Sequence, residues 1–94
     1  MQIEIFVLKP PVLKAIRYDI TNGPEIVAWS GGKVKECETL EPTDRNPSGA
    51  FLETMSGAFA GDRCHPGQWI GTLTNEHFWA IDDSQINAEY VKIA

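Results

Sequence analysis

Apolar and polar residues alternate along this chain in short runs separated by Pro, Gly and Asn pairs. Over residues 3–8, Ile3, Ile5 and Val7 fall on one side and Glu4, Phe6 and Leu8 on the other. A period of two with β-branched residues predicts a strand. Pro10-Pro11 stops it, since neither ring can donate to a ladder. Val12–Asp19 predicts a second strand with mixed faces: Val12, Lys14, Ile16 and Tyr18 on one, Leu13, Ala15, Arg17 and Asp19 on the other.

The period then changes. Thr21 or Asn22 can cap a helix, Pro24 suits its first turn, and Glu25 complements the helix dipole. Gly31-Gly32 ends it, because glycine takes the left-handed position after a helix at little cost. Two turns are not stable alone, so the helix is expected to dock on a sheet through Ile26 and Trp29. Lys33–Cys37 predicts a short strand, and the polar segment 38–49, with Pro42 and Pro47, a long surface loop.

From Ala50 onward the pattern is that of a β-meander. Ala50–Met55 and Ala58–Arg63 are expected to form a hairpin about Ser56-Gly57. Pro66-Gly67 is expected at the centre of a type II turn. Trp69–Leu73 and Glu76–Ile81 follow as strands about Thr74-Asn75, with His77, Trp79 and Ile81 on one face and Phe78 and Ala80 on the other. Asp82-Asp83-Ser84 can cap one helical turn over residues 85–88, and Tyr90–Ile93 reads as a closing strand. The fold class that results is α+β: a small single domain, an antiparallel meander with one or two short helices.

Composition narrows the function classes. At 94 residues the chain holds one domain. Eight Lys and Arg against 13 Asp and Glu give a net charge of −5, which argues against wrapping duplex DNA. No run reaches the ~20 apolar residues of a membrane span, and residues 1–9 lack the basic start of a signal peptide. A cytoplasmic protein is therefore expected. Cys37 and Cys64 are too few for a disulfide framework and are expected as free thiols.

Several segments together resemble a family of small uncharacterised bacteriophage proteins. Lys9-Pro10-Pro11-Val12 and Ala15-Ile16-Arg17-Tyr18 match its opening strand. Ile26-Val27-Ala28-Trp29-Ser30-Gly31-Gly32 matches its helix and stop. Leu52-Glu53-Thr54-Met55-Ser56-Gly57, Pro66-Gly67-Gln68-Trp69-Ile70 and Asn75-Glu76-His77-Phe78-Trp79 match its hairpin, turn and following strand, and Tyr90 its closing tyrosine. Gln68 stands where that family has Asp, Asn75 where it has Gly, and His77 separates its Glu-Phe pair. The resemblance implies a phage origin, hence the host cytoplasm, and no particular reaction.

Candidate chemistry is sparse. Cys37, Cys64, His65, His77, Asp62, Asp82 and Asp83 include metal-ligand types, but without the close paired spacing of structural zinc sites. Adjacent Cys64 and His65 would point to opposite faces of a strand. Cys64 with His77 lacks any recognisable oxyanion arrangement, and Asp82-Asp83 suits helix capping better than paired carboxylate catalysis. Gly31-Gly32-Lys33 follows a helix where a phosphate loop precedes one. No enzyme activity, metal or cofactor is expected.

Two surfaces remain. Trp69, Phe78, Trp79, His65, His77 and Arg63 crowd neighbouring strands and turns, with Phe78 expected in the core. Trp beside His and Arg can stack on a base or a partner side chain, or the tryptophans can simply fill the core. From Cys64 to Val91 there is no Lys or Arg, while Glu76, Asp82, Asp83 and Glu89 lie there. The expectation is a non-enzymatic phage accessory protein that meets a basic host or defence protein through Glu76, Asp82, Asp83 and the 38–49 loop. The alternative is an oligomer that binds a small nucleotide signal between protomers, lined by Trp69, Trp79, His77 and Arg63. A further alternative is a minor virion or assembly component.

Overall fold

A computed structural model describes residues 2–5, 12–39, 42–44, 46–55 and 60–92. In chain order the elements are β1 (Lys14–Arg17), α1 (Gly23–Trp29), β2 (Val34–Glu38), β3 (Ala50–Thr54), β4 (Arg63–Cys64), β5 (Trp69–Thr72), β6 (Phe78–Ile81) and α2 (Asp83–Glu89). The fold is α+β, with its strands in two antiparallel sheets. The first has the order β1-β5-β6 and the second β2-β3-β4. The meander is thus shared between the sheets, and the second sheet is inserted in the chain between β1 and its neighbour β5.

Strand alternation decides which side chains meet between the sheets. Ile16, Ile70 and Ala80 form one cross-strand row of the first sheet. They pack with Tyr18 and Phe78 against Val34, Leu52 and Cys64 of the second sheet. Ile26 of α1 joins this core fully buried, and Trp29 meets the Phe78 ring edge-on at 5.4 Å. The docking of α1 through Ile26 and Trp29 is as the sequence predicts. Gly31 and Gly32 stop the helix at φ 67° and 83°. The Ser30 hydroxyl then donates to Val27 O and accepts from the Val34 amide, turning the chain into β2.

One carboxylate ties the sheets together. Asp62, just before β4, accepts the Ala80 amide of β6 on Oδ2 at 2.8 Å. Its own amide donates to Thr54 Oγ1 at 3.0 Å, and Thr54 is buried. Asp62→Ala leaves a half-buried Ala80 N–H without its acceptor and is expected to cost about 1–3 kcal/mol. Asp62→Asn keeps an oxygen there and is expected to recover most of that. Urea unfolding of both variants checks this: equal losses would mean that the Ala80 bond contributes nothing.

The Pro66-Gly67 turn is as expected. Gln68 N donates to His65 O at 3.0 Å and Gly67 takes φ 95°, the left-handed third position of a type II turn. Gly67 N also donates to Tyr18 O, and Tyr18 N to Gln68 O, so the turn is fastened to the end of β1.

Several expected elements differ. Residues 2–5 carry no strand, with Ile3 and Ile5 exposed, because alternation makes a strand only where the backbone finds a partner; residues 6–8 lie outside the described residues. Within the described part of the return strand expected over 58–63, Arg63 alone is in a strand, β4, and Ala60-Gly61 is a turn, with Gly61 at φ 87°. Residues 56–59, including the expected Ser56-Gly57 turn, lie outside the described residues. Glu76 and His77 precede β6 rather than belonging to it. Tyr90–Lys92 has no strand pairing, and Ile93 lies outside the described residues. Neither Asn22 nor Asp82 caps its helix by a side-chain bond. Asn22 instead accepts from the Asp19 amide and donates to Arg17 O, closing the turn after β1.

That turn holds Ile20 at φ 75°. A β-branched residue resists this region, so the surrounding bonds must impose it. Asp19 Oδ1 accepts both the Thr21 hydroxyl and the Asn22 amide. These bonds, that from Thr21 first, hold the exposed Asp19 carboxyl below its usual range.

Candidate functional site

The outer face of the first sheet carries the aromatic residues that do not enter the core. Register places Arg17, Trp69 and Ile81 in one row, and Ala15, Gly71 and Trp79 in the next. Phe78 points the other way and is buried, as expected. Trp69 and Trp79 are half-buried on this outer face and lie outside the core cluster. The possibility that they fill the core is therefore not realised. The inner face of the sheet is already occupied by Ile16, Ile70, Phe78 and Ala80.

Gly71 forms the floor between the two tryptophans. A Cβ there would lie 2.6 Å from Ile81 Cδ1 and 3.1 Å from Leu13 Cδ1, so these two side chains lie over the glycine. This explains how Ile81, on the face away from the core, is 1% exposed. The face is thus a closed apolar floor of Leu13 and Ile81, flanked by two tryptophans that keep part of each ring in water. Leu73, just beyond β5, adds an exposed apolar side chain.

The start of α2 borders this face through Asp83 in its first turn and Asp82 just before it. Asp83 Oδ1 accepts the Trp69 indole N–H at 3.0 Å, and Asp82 Oδ1 accepts from Gln68 Nε2 at 2.6 Å. The expected capping role of Asp82 and Asp83 is replaced by these bonds, because the β4–β5 turn lies within reach of both side chains. A buried or half-buried indole N–H needs an acceptor, and Asp83 supplies it while fixing the ring. Glu76 and His77 are exposed in the segment before β6, and Glu89 is exposed on α2. Arg17 stands at the opposite margin, where its Nε donates to Gly67 O at 3.3 Å.

Arg63 and His65 belong to a different surface. On the outer side of the second sheet, Lys35, Glu53 and Arg63 form one cross-strand row, beside the paired Cys37 and Phe51. The Arg63 guanidinium sits 5.0 Å over the Phe51 ring, and the His65 ring lies 6.0 Å from it. Glu53 faces Lys35 at 3.9 Å and accepts from Cys37 Sγ at 3.7 Å. The single patch expected from the sequence is therefore divided: Trp69 and Trp79 sit on the first sheet with His77 just ahead of β6, and Arg63 and His65 on the second. Neighbouring positions in the chain mislead here because the turn at residues 65–68 carries it from one sheet to the other.

The loop after β2 is more than a surface excursion. Thr39 N donates to Gly49 O at 2.8 Å, and Asn46 and Gly49 are buried. Sequence reasoning missed Asn46. The signal available was an Asn–Pro–Ser–Gly run, which favours a turn held by its own side chains.

Neither cysteine is set up as a nucleophile. Cys64 is fully buried with Sγ 3.8 Å from His65 O, and burial pushes its thiol up to about 12. Burial also raises Cys37, with the Glu53 charge adding to it and Lys35 opposing it. A reactive thiol needs the opposite shift. Among the described residues no three His, Cys, Asp or Glu side chains are grouped to hold a metal ion, and no helix is long and apolar enough to cross a membrane. No protein-family model, curated protein or solved structure matches the chain.

Proposed function

We propose that this chain is a non-enzymatic binding protein, of phage origin as its sequence resemblance implies, that docks on a basic surface of a host or defence protein. The observation that carries the reading is the outer face of the first sheet. There, two half-exposed tryptophans flank an apolar floor, Asp83 holds the Trp69 indole, Asp82 binds the neighbouring Gln68, and Glu76 and Glu89 are exposed on the β5–β6 turn and on α2. Large, rigid aromatic side chains supply contact area at little entropic cost, and a rim of one sign steers the encounter with a partner of the other. Between Cys64 and Val91 there is no Lys or Arg, so β5, β6 and α2 supply only acidic charges, while Arg17 of β1 and Lys33, whose Nζ donates to Asn75 O at 3.1 Å, border the face.

The test is capture of host proteins on the immobilised chain, repeated with variants. Glu76→Lys with Glu89→Lys changes two exposed charges and is expected to reduce retention of a specific partner at least ten-fold at ~0.15 M salt, where the Debye length is about 8 Å. Trp79→Ala is expected to weaken retention in low salt as well. A partner retained equally by all three proteins would overturn the assignment of this face.

A further inference from the structure

The two edges of the first sheet differ. On the β6 edge the Ala80 amide is taken by Asp62 Oδ2 at 2.8 Å. On the β1 edge the direction of each backbone group follows from Tyr18. Its amide donates to Gln68 O at 2.9 Å and its carbonyl accepts from the Gly67 amide at 2.8 Å, so both turn toward β5. Alternation then turns those of Arg17 and Ala15 away from β5. Arg17 O does point that way, since Asn22 Nδ2 donates to it at 2.7 Å. Among the described residues β1 pairs with β5 alone, which leaves the Ala15 N–H and C=O facing outward. Carrying β1 back along the same alternation gives Leu13 the same direction. Unpaired edge groups of this kind are a template for another strand.

The same chain carries an unpaired run that fits this edge. Residues 2–5, Gln-Ile-Glu-Ile, are all exposed, Ile3 by 78% and Ile5 by 89%, and make no hydrogen bond or ion pair among the described residues. One antiparallel register matches the two. Ile3 opposite Ala15 sets Glu4 opposite Lys14 and Ile5 opposite Leu13. Ala15 and Leu13 are the residues whose backbone faces out, so Ile3 and Ile5 fall at the hydrogen-bonded pairs. Both isoleucines then lie on the outer face beside Leu13, whose side chain already lies over Gly71. Glu4 lies on the other face beside the exposed Lys14, an opposite-charge cross-strand pair. Within one chain this register is a hairpin about Lys9 whose next hydrogen-bonded pair is Val7 with Pro11, and Pro11 has no N–H to give. Between two copies no turn is needed and the pairing can stop at Ile5.

We propose that residues 2–5 of one chain add to the open edge of β1 in a second copy as a fourth strand, and that the second copy returns the same contact. The product is a closed, two-fold arm-exchanged dimer. It covers four isoleucines that the single chain exposes, two from each copy, and it pairs the outward groups of Ala15 and Leu13.

The experiment is light scattering of the whole chain over a concentration series. Two short arms bury less than the ~1,600 Å² of a standard interface, so twice the single-chain mass is expected at about 1 mM and dissociation on dilution. Ile5→Pro removes the N–H that bonds to Leu13 O and leaves the fold untouched, because residues 2–5 take no part in it. It is expected to weaken the dimer at least ten-fold, since the two-fold axis removes the bond twice. Glu4→Lys and Lys14→Glu are each expected to weaken it, and the double variant to restore it. In a mixture of isotope-labelled and unlabelled chains, filtered nuclear magnetic resonance spectra are expected to show Ile3 of one chain against Ala15 of the other. A single-chain mass at 1 mM, a dimer that Ile5→Pro leaves intact, a double charge variant no tighter than either single one, or Ile3–Ala15 contacts confined to one chain would each overturn the exchange.

Discussion

Leu52→Ala will lower the free energy of unfolding by about 2–5 kcal/mol, the largest loss expected from any single truncation discussed. Leu52 is fully buried at the centre of β3. It is paired with Glu36 on one side and Cys64 on the other, and it packs in the cluster shared by both sheets and α1. Removing three heavy atoms forfeits their transfer free energy and leaves a cavity that strands on both sides cannot collapse into. A domain of this size is stable by only about 5–15 kcal/mol, and each kcal/mol moves the midpoint by about 4–8 °C. Calorimetry of Leu52→Ala against Met55→Ala, which truncates a half-exposed side chain one residue beyond β3, gives the comparison. A Leu52 loss no larger than the Met55 loss would mean that the two sheets do not share one core.

The elements that were legible in the sequence are those whose causes are local. The helix at residues 23–29 is announced by Pro24, Glu25 and the glycine pair that follows. The turn at residues 65–68 is announced by Pro66-Gly67, whose dihedral requirements only such a pair meets cheaply. The core face of β6 follows from simple alternation, with Phe78 turned inward, whereas β1 reads as mixed on both faces and its pairing with β5 puts Ile16 inside. Alternation without a partner was insufficient: Ile3 and Ile5 alternate well and remain exposed, and Tyr90–Lys92 is extended and unpaired. Partner choice is a long-range property. The pairing of β1 with β5 spans more than 50 residues, and no local pattern in either strand encodes it.

The same distinction governs the candidate site. Trp69, Trp79, Glu76, Asp82 and Asp83 were all legible as residue types in one stretch of chain. Their arrangement was not, because it depends on which face each strand turns to the other sheet. Asp82 and Asp83 stand before a helix, where capping is the common role. They bind Gln68 and Trp69 instead because the preceding turn approaches the helix start. Arg63 and His65 are five and three residues before the end of the same turn, yet they serve the second sheet. The Asn46 carboxamide was not legible at all. Its importance comes from meeting Ala50 and His65 together, one four residues away and one nineteen.

The other large effect is on the alkaline side. The buried Cys64 thiol keeps its proton until about pH 12, against an ordinary value of 9.0, and burial is the first cause, followed by the Asp62 charge. In the unfolded chain the same thiol ionises near 9. Above that pH the unfolded state therefore binds fewer protons than the native state, and stability falls with rising pH. The contribution is fully present below pH 9 and is lost progressively as pH rises toward 12. At about 1.4 kcal/mol per pH unit the total from this group is about 4 kcal/mol. Tyr18 acts in the same direction, since burial and the Glu36 charge raise its phenol, so part of the alkaline loss will persist without the thiol. Cys64→Ala removes the ionising group at the cost of a small cavity. Its stability is expected to start lower than wild type at pH 8 and to fall less steeply, so the two curves converge or cross before pH 12. Urea unfolding at half-unit steps from pH 8 to 11.5 reads this directly. Parallel curves would show that Cys64 ionises at similar pH in the folded and unfolded chains, and that the core around Leu52 and Tyr18 does not exclude its charge.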